Sequence, residues 1–429
     1  MDRKVIGLAL IIALGAAGVL GSTLVLSQGA TPATTPTREA TAVPTSGPTA
    51  APTSALPPLP GLPDGVSGRL TYFSQGELVT VQLPEGIEVA REPVADMNGS
   101  ATSPDGSWTA TPNCGATACD LVLSGPLAAG ATLHIDGLVD GIEWSADGGA
   151  LAYVTMAFDS TGVIARRDLF IIETDAFDEP RMLLSVPGNV LLPFVWSADG
   201  NLVVASNDGA ETRIERIDVN GEAETIATAE AQVYYFYPSP DRSTVAYTQD
   251  SDEGWRLLAL DLDSGDVTDY GNMGSDPAGT APPVVTPTVK GPMYVAWSPD
   301  GTRLAFGGGN EAPYTMTIVD LQSGAPARTA FEEGYPGEIK WSPDGRQVAV
   351  STYDAERTRH EVYIVDPATG VARHVSSGCV IVWSPDGRFL AQHIDKEPGV
   401  GIVDVATGQY GHLTNERYDT PLRWEDGTS

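Results

Sequence analysis

From residue 65 onward, short apolar runs alternate with Gly-, Asp- and Ser-rich turns, and the runs recur in a fixed order. First comes a brief segment such as "MYVAW" or "VIVW". An alternating apolar-polar stretch follows: "RLAFG", "RQVAVS", "RFLAQH", "ALAYVT" or "NLVVAS". A third stretch ends in a repeated turn, as in "TIVDLQSG", "YIVDPATG", "GIVDVATG" and "LALDLDSG", and a fourth such as "VARHVS" or "QYGHLT" leads into the next copy. Short segments with period-two alternation, rich in β-branched residues and bounded by turn formers, predict strands and not helices. Each unit therefore holds four antiparallel strands, a to d in chain order.

The junction of strands a and b carries the pentapeptide W-S-P-D-G. Its tryptophan position is filled successively by Thr102, Trp144, Trp196, Pro238, Trp297, Trp341, Trp383 and Trp424, the last in a motif one residue short. Six of the eight tryptophans lie on this register. A period near 40–45 residues containing four strands predicts the blades of a propeller. Within the motif, proline presets φ, aspartate bonds back to nearby amides and glycine accepts positive φ, which together suit a tight turn. The turn aspartates Asp105, Asp147, Asp199, Asp241, Asp300, Asp344 and Asp386 are accordingly read as structural, and the tryptophans as packing between blades.

These copies resemble the TolB-type, WD-like β-propeller repeat family from about residue 66 to the C-terminus. The resemblance implies a ring of blades with a binding role, and it specifies no ligand. The expected fold is all-β, an eight-bladed β-propeller, with seven blades if the Thr102 copy does not form one. Only five residues follow Trp424, too few for strands b, c and d. "GRLTYFS", "ELVTVQL" and "IEVAREPV" read as those three strands with no motif before them. "PLRW" beside Trp424 should therefore supply strand a to residues 68–94 and close the ring, leaving no open sheet edge.

The first 65 residues read differently. After Arg3 and Lys4, residues 5–26 carry no charge; at ~1.5 Å per residue a helix of that length crosses the ~30 Å hydrocarbon layer. Residues 1–29 are expected to be an N-terminal transmembrane helix or, as the alternative, a cleaved signal sequence. Residues 30–65 are Pro, Thr, Ala and Ser with few large apolar side chains, and predict a disordered linker. Residues 66–429 form the propeller, outside a cell membrane if the anchor is kept and secreted if it is cleaved.

Charge narrows the partners. A formal net charge of −32 argues against nucleic acid, since phosphate binding depends on Lys and Arg. Cys114 and Cys119, in "NCGATACD", could form a small hairpin disulfide in an oxidising compartment, while Cys379 reads as a buried small hydrophobe. No nucleophile elbow, P-loop, G-x-G-x-x-G or H-E-x-x-H pattern occurs, so no catalytic, metal or cofactor residue is assigned. The five histidines (His134, His360, His374, His393, His412) look scattered.

In an antiparallel blade the a–b and c–d turns share one face, and the b–c and d–a connections share the other. The second face collects the irregular segments: the Cys114–Cys119 hairpin, "AFDSTGVIARR", "DSDEG", "YDAERTR" and the insertion at 274–291. It is the expected contact face for a protein, peptide or glycan. The alternative is an exported propeller enzyme, a hydrolase or lyase, with its site at the channel mouth.

Overall fold

The gradient of apolar content from strand b to strand d fixes each blade's orientation. Strand b of blade 6, Val348–Tyr353, is buried at every position, because neighbouring blades cover both of its faces. Strand d of the same blade, Ala372–Ser376, carries Arg373 and His374 and is mostly exposed. Burial on both sides of b departs from the half-buried alternation the sequence suggested. Small residues such as Ala349 and Ala391 at intervening positions let the next blade approach.

The computed structural model describes residues 61–93, 100–125, 128–188, 190–207, 211–251, 254–274, 295–308, 314–324, 326–332, 334–354, 359–393, 399–414 and 420–427. All belong to one compact unit, Leu56–Ser429. The strands form eight four-stranded antiparallel sheets. In order of the motif copies, blades 1 to 7 span 101–135, 138–187, 194–229, 233–274, 295–331, 335–376 and 379–412. Thr102 thus heads a blade of its own, and the ring has eight. The expected membrane helix and nearly all of the linker lie outside the described residues. Among those described, no helix is long and apolar enough to cross a membrane.

Blade 8 is composite. Its strand a, Thr420–Glu425, pairs antiparallel with Gly68–Ser74, which pairs with Glu77–Leu83 and then Ile87–Pro93. Leu70 stands opposite Trp424, so the two ends of the propeller meet in one sheet. Residues read as the end of the linker also join the fold. Leu62 and Val66 are buried with Val400, Ile402 and Phe389, and Gly411 leaves the room through which Gly61 passes. An apolar pair flanking a Pro-Asp-Gly turn has enough surface to bury, which the preceding Thr- and Pro-rich chain lacks.

Each of seven successive blade junctions is filled by an apolar cluster. First strands of neighbouring blades meet along the inner ring, blade 1 with 2, 2 with 3, 3 with 4, 5 with 6, 6 with 7 and 7 with 8. The two kinds of motif turn share a face, as backbone bonds within single blades show. Thr174 N donates to Gly149 O at 3.0 Å, Leu262 N to Ser243 O at 2.9 Å and Val405 N to Arg388 O at 3.1 Å. Each bond joins a c–d turn to the a–b turn of its own blade, so the b–c and d–a connections occupy the opposite, loop face.

Candidate functional site: the loop face

The motif face is chemically closed. In each a–b turn the serine hydroxyl donates to the aspartate two residues on: Ser145 to Asp147 and Ser298 to Asp300 at 2.6 Å, Ser342 to Asp344 at 2.7 Å. The same hydroxyl accepts the N–H five residues on, as from Ala150, Arg303 and Phe389. The aspartate also accepts an N–H from the turn's far side. Asp105, Asp199, Asp241 and Asp386 repeat the bond to serine. These bonds, the serine hydroxyl first, hold the Asp105 and Asp300 carboxyls down at about 2. All seven aspartates serve the turns on this face. The c–d turns are capped alike: Asp261, Asp320, Asp366 and Asp404 each accept two backbone N–H groups.

The tryptophans lie between blades, and they also make a bond the pattern did not disclose. The indole N–H of Trp144, Trp196, Trp297, Trp341 and Trp383 donates across the junction to Ala101, Glu143, Tyr237, Ala296 and Lys340 O, at 2.9–3.0 Å. Each acceptor immediately precedes the motif's first residue in the previous blade. Pro238 cannot donate, and there Arg242 takes over. It occupies the turn's glycine position at φ 58°, and its guanidinium donates to Trp196 O at 3.0 Å. Trp424 bonds instead to Ser67 O at 2.9 Å, tying the C-terminal strand to the chain's entry into the ring.

The loop face is built otherwise. Cys114 and Cys119 are joined in a disulfide that closes the b–c hairpin of blade 1. In blade 2, strands b and c run to Phe158 and from Ile164, so "AFDSTGVIARR" shrinks to a turn at 159–163. Asp159 accepts the N–H groups of Thr161 and Val163 there. The sequence missed this because Arg166, Arg167 and Asp168 look like loop residues, yet they pair with Ala157, Met156 and Thr155. All but the first residue of the insertion at 274–291, and the centres of "DSDEG" and "YDAERTR", lie outside the described residues.

Inner strands bulge near the loop face. Pairing skips Asp140 in blade 2, Tyr234 in blade 4, residues 337–338 in blade 6 and 380–381 in blade 7. Bulges re-aim side chains and free backbone groups from the ladder. Asp140 accepts from Arg167 Nε at 2.6 Å, and Arg167, itself buried, also donates to Val190 O at 3.0 Å. Burial raises the Asp140 carboxyl against the pull of that guanidinium.

The densest polar group gathers where blades 6 and 7 meet. Glu361 accepts from Arg359 Nε at 2.8 Å and Ser377 Oγ at 2.8 Å, and lies 2.7 Å from His374 Nε2. Burial pushes its carboxyl up, but these partners outweigh it and hold it below its ordinary value. Gly378 N donates to His360 O, and a Cβ on Gly378 would sit 2.4 Å from His393 O. Cys379 stands directly opposite His393. Three of the histidines read as scattered thus border one connection, and Cys379 lies outside the disulfide, half-buried and not fully enclosed.

Across the same junction Glu338 is buried, and burial raises its carboxyl. It accepts Ile381 N at 2.9 Å and lies 3.7 Å from Lys340 Nζ. Val380 has φ 51°, a left-handed conformation costing ~1–3 kcal/mol for a β-branched residue. Only cross-blade register brings these groups together, and no local motif signals it. Among the described residues, no set of three His, Cys, Asp or Glu side chains is arranged to hold a metal ion.

No protein-family profile matches the chain, and no curated protein does. Solved structures do. The dihydro-heme d1 dehydrogenase NirN in complex with DHE aligns over 86% of this chain and 78% of its own, at 16% identity and a TM-score of 0.56. An oligogalacturonate lyase in complex with manganese aligns over 72% and 85%, at 15% identity and 0.42. TolB from Acinetobacter baumannii aligns over 74% and 80%, at 16% identity and 0.35. With the first of these sharing the fold and the blades counted directly, the chain is an eight-bladed β-propeller of W-S-P-D-G repeats, closed by its own C-terminal strand.

Proposed function

We propose that the propeller is a non-catalytic binding module that receives a protein, peptide or glycan on its loop face, and that residues 1–60 tether it outside the membrane. The observation that carries this reading is the contrast between the two faces. On the motif face the repeated serines, aspartates and indoles bond to the fold itself, blade after blade. On the loop face each blade differs, and polar groups from separate strands come together there, as Glu361, His374, Ser377 and Arg359 do at the outer strands of blade 6. A rigid ring with variable loops on one side is the usual division of labour in binding scaffolds.

The test is binding by the full chain to surface extract and to an immobilised glycan panel. Replacing loop-face turns 115–118 and 160–162 by Gly-Ser linkers of equal length should weaken capture at least tenfold, while replacing motif-face residues 219–220 should leave it intact. The reverse pattern would refute the assignment. Turnover of a captured glycan or peptide would replace the binding reading with the enzymatic one.

A further inference from the structure

The junction of blades 6 and 7 contains a held, strained segment that the binding reading leaves unexplained. Residues 377–381 connect the outer strand of blade 6 to the inner strand of blade 7. Blade 6 holds the segment at several points: Ser351 Oγ donates to Gly378 O at 3.2 Å, and Gly378 N donates to His360 O at 3.1 Å. From blade 7, Gln392 Nε2 donates to Ser377 O at 3.1 Å. The bulge takes Val380 and Ile381 out of the ladder, so their N–H groups need another acceptor. Ile381 finds it in the Glu338 carboxylate, which itself sits in a bulge of blade 6. Two bulges therefore interlock across a blade boundary, and the left-handed Val380 lies at the point of contact. A valine released from that grip would relax toward the extended region.

We propose that Glu338 is the latch of a spring-loaded strap, residues 377–381, which opens locally on the loop face without unfolding the ring and uncovers Cys379. The latch is the grip of the carboxylate on the Ile381 N–H, and the spring is the backbone of Val380. Cys379, half-buried at the strap's centre and the one cysteine outside the disulfide, reports the opening. A strap of this kind gives the loop face a second conformation that a ligand could select. It requires no ligand to be tested, so its failure would not bear on the binding assignment.

The experiment measures N-ethylmaleimide labelling of Cys379 in the full chain by mass spectrometry, under non-reducing conditions at fixed pH. Rates are taken across low urea concentrations, because local opening is nearly independent of urea whereas global unfolding is not. Glu338→Ala should raise the urea-independent rate about 10- to 100-fold, the loss of a charge-assisted bond. Glu338→Gln, which keeps an acceptor oxygen, should restore most of the protection. Val380→Gly should slow labelling several-fold with Glu338 present and have no such effect in the Glu338→Ala background. Labelling that proceeds only through global unfolding in every variant would overturn the proposal, as would a Val380→Gly effect of equal size with and without Glu338.

Discussion

At the scale of single residues, the W-S-P-D-G turn owes as much to its buried serine as to its aspartate. Ser298 is wholly buried; it donates to Asp300 and accepts the N–H of Arg303. Ser298→Ala should therefore cost ~1–2 kcal/mol, measurable as a fall in the urea midpoint. The aspartates add a pH dependence. The folded carboxyls of Asp105, Asp147, Asp199, Asp241, Asp300 and Asp344 sit below the ordinary Asp value of ~3.9, at about 2 for Asp105 and Asp300. The stability they contribute is thus complete above that ordinary value and drains away as pH falls through it toward about 2. Urea midpoints taken from pH 5 to pH 2 should decline over that window. In the Asp300→Asn variant the decline should be shallower.

At the scale of elements, the indole links make five of the inner strands depend on the blade before them. Trp341→Phe keeps most of the apolar area but leaves Ala296 O without its donor at 3.0 Å. It should cost ~1–3 kcal/mol, read from thermal or urea unfolding. Trp383→Phe should cost about as much, because Lys340 O loses the same bond. The four-strand unit was legible in the sequence because its signals are local: alternation, turn residues and a tryptophan at a fixed offset. The composite blade was legible for a related reason, since three strands without a motif and one motif without strands add up to a single sheet. The indole acceptors, the Arg242 substitute at blade 4 and the Glu338–Ile381 interlock were not. Each depends on which backbone atom faces which across a junction, and residues 43 to 60 apart in the chain carry no local sign of that register. The three histidines around 377–379 looked scattered for the same reason: they belong to different strands of two blades.

For the whole molecule, the ring's junctions are unequal. Between blades 8 and 1 no apolar cluster forms among the described residues. Thr102 stands where six of the other blades place an indole, and within blade 1 strands a and b face each other through hydroxyl pairs such as Ser100 with Thr111 at 3.1 Å. Amide exchange should accordingly be fastest, among blade interiors, in strand b of blade 1, Thr109–Cys114, and slowest in Val348–Tyr353, which is covered on both sides. Equal protection in the two would contradict this ranking. The central claim is that one face of the ring holds the fold together and the other meets the partner. It is tested most directly by placing a photo-crosslinking side chain singly at Thr117 and Val163 on the loop face, and at Val219 and Gln322 on the motif face, and exposing each full-length variant to surface extract or glycoconjugates. Adducts from the first pair with none from the second are the predicted result. Adducts from Val219 or Gln322 alone would contradict the account.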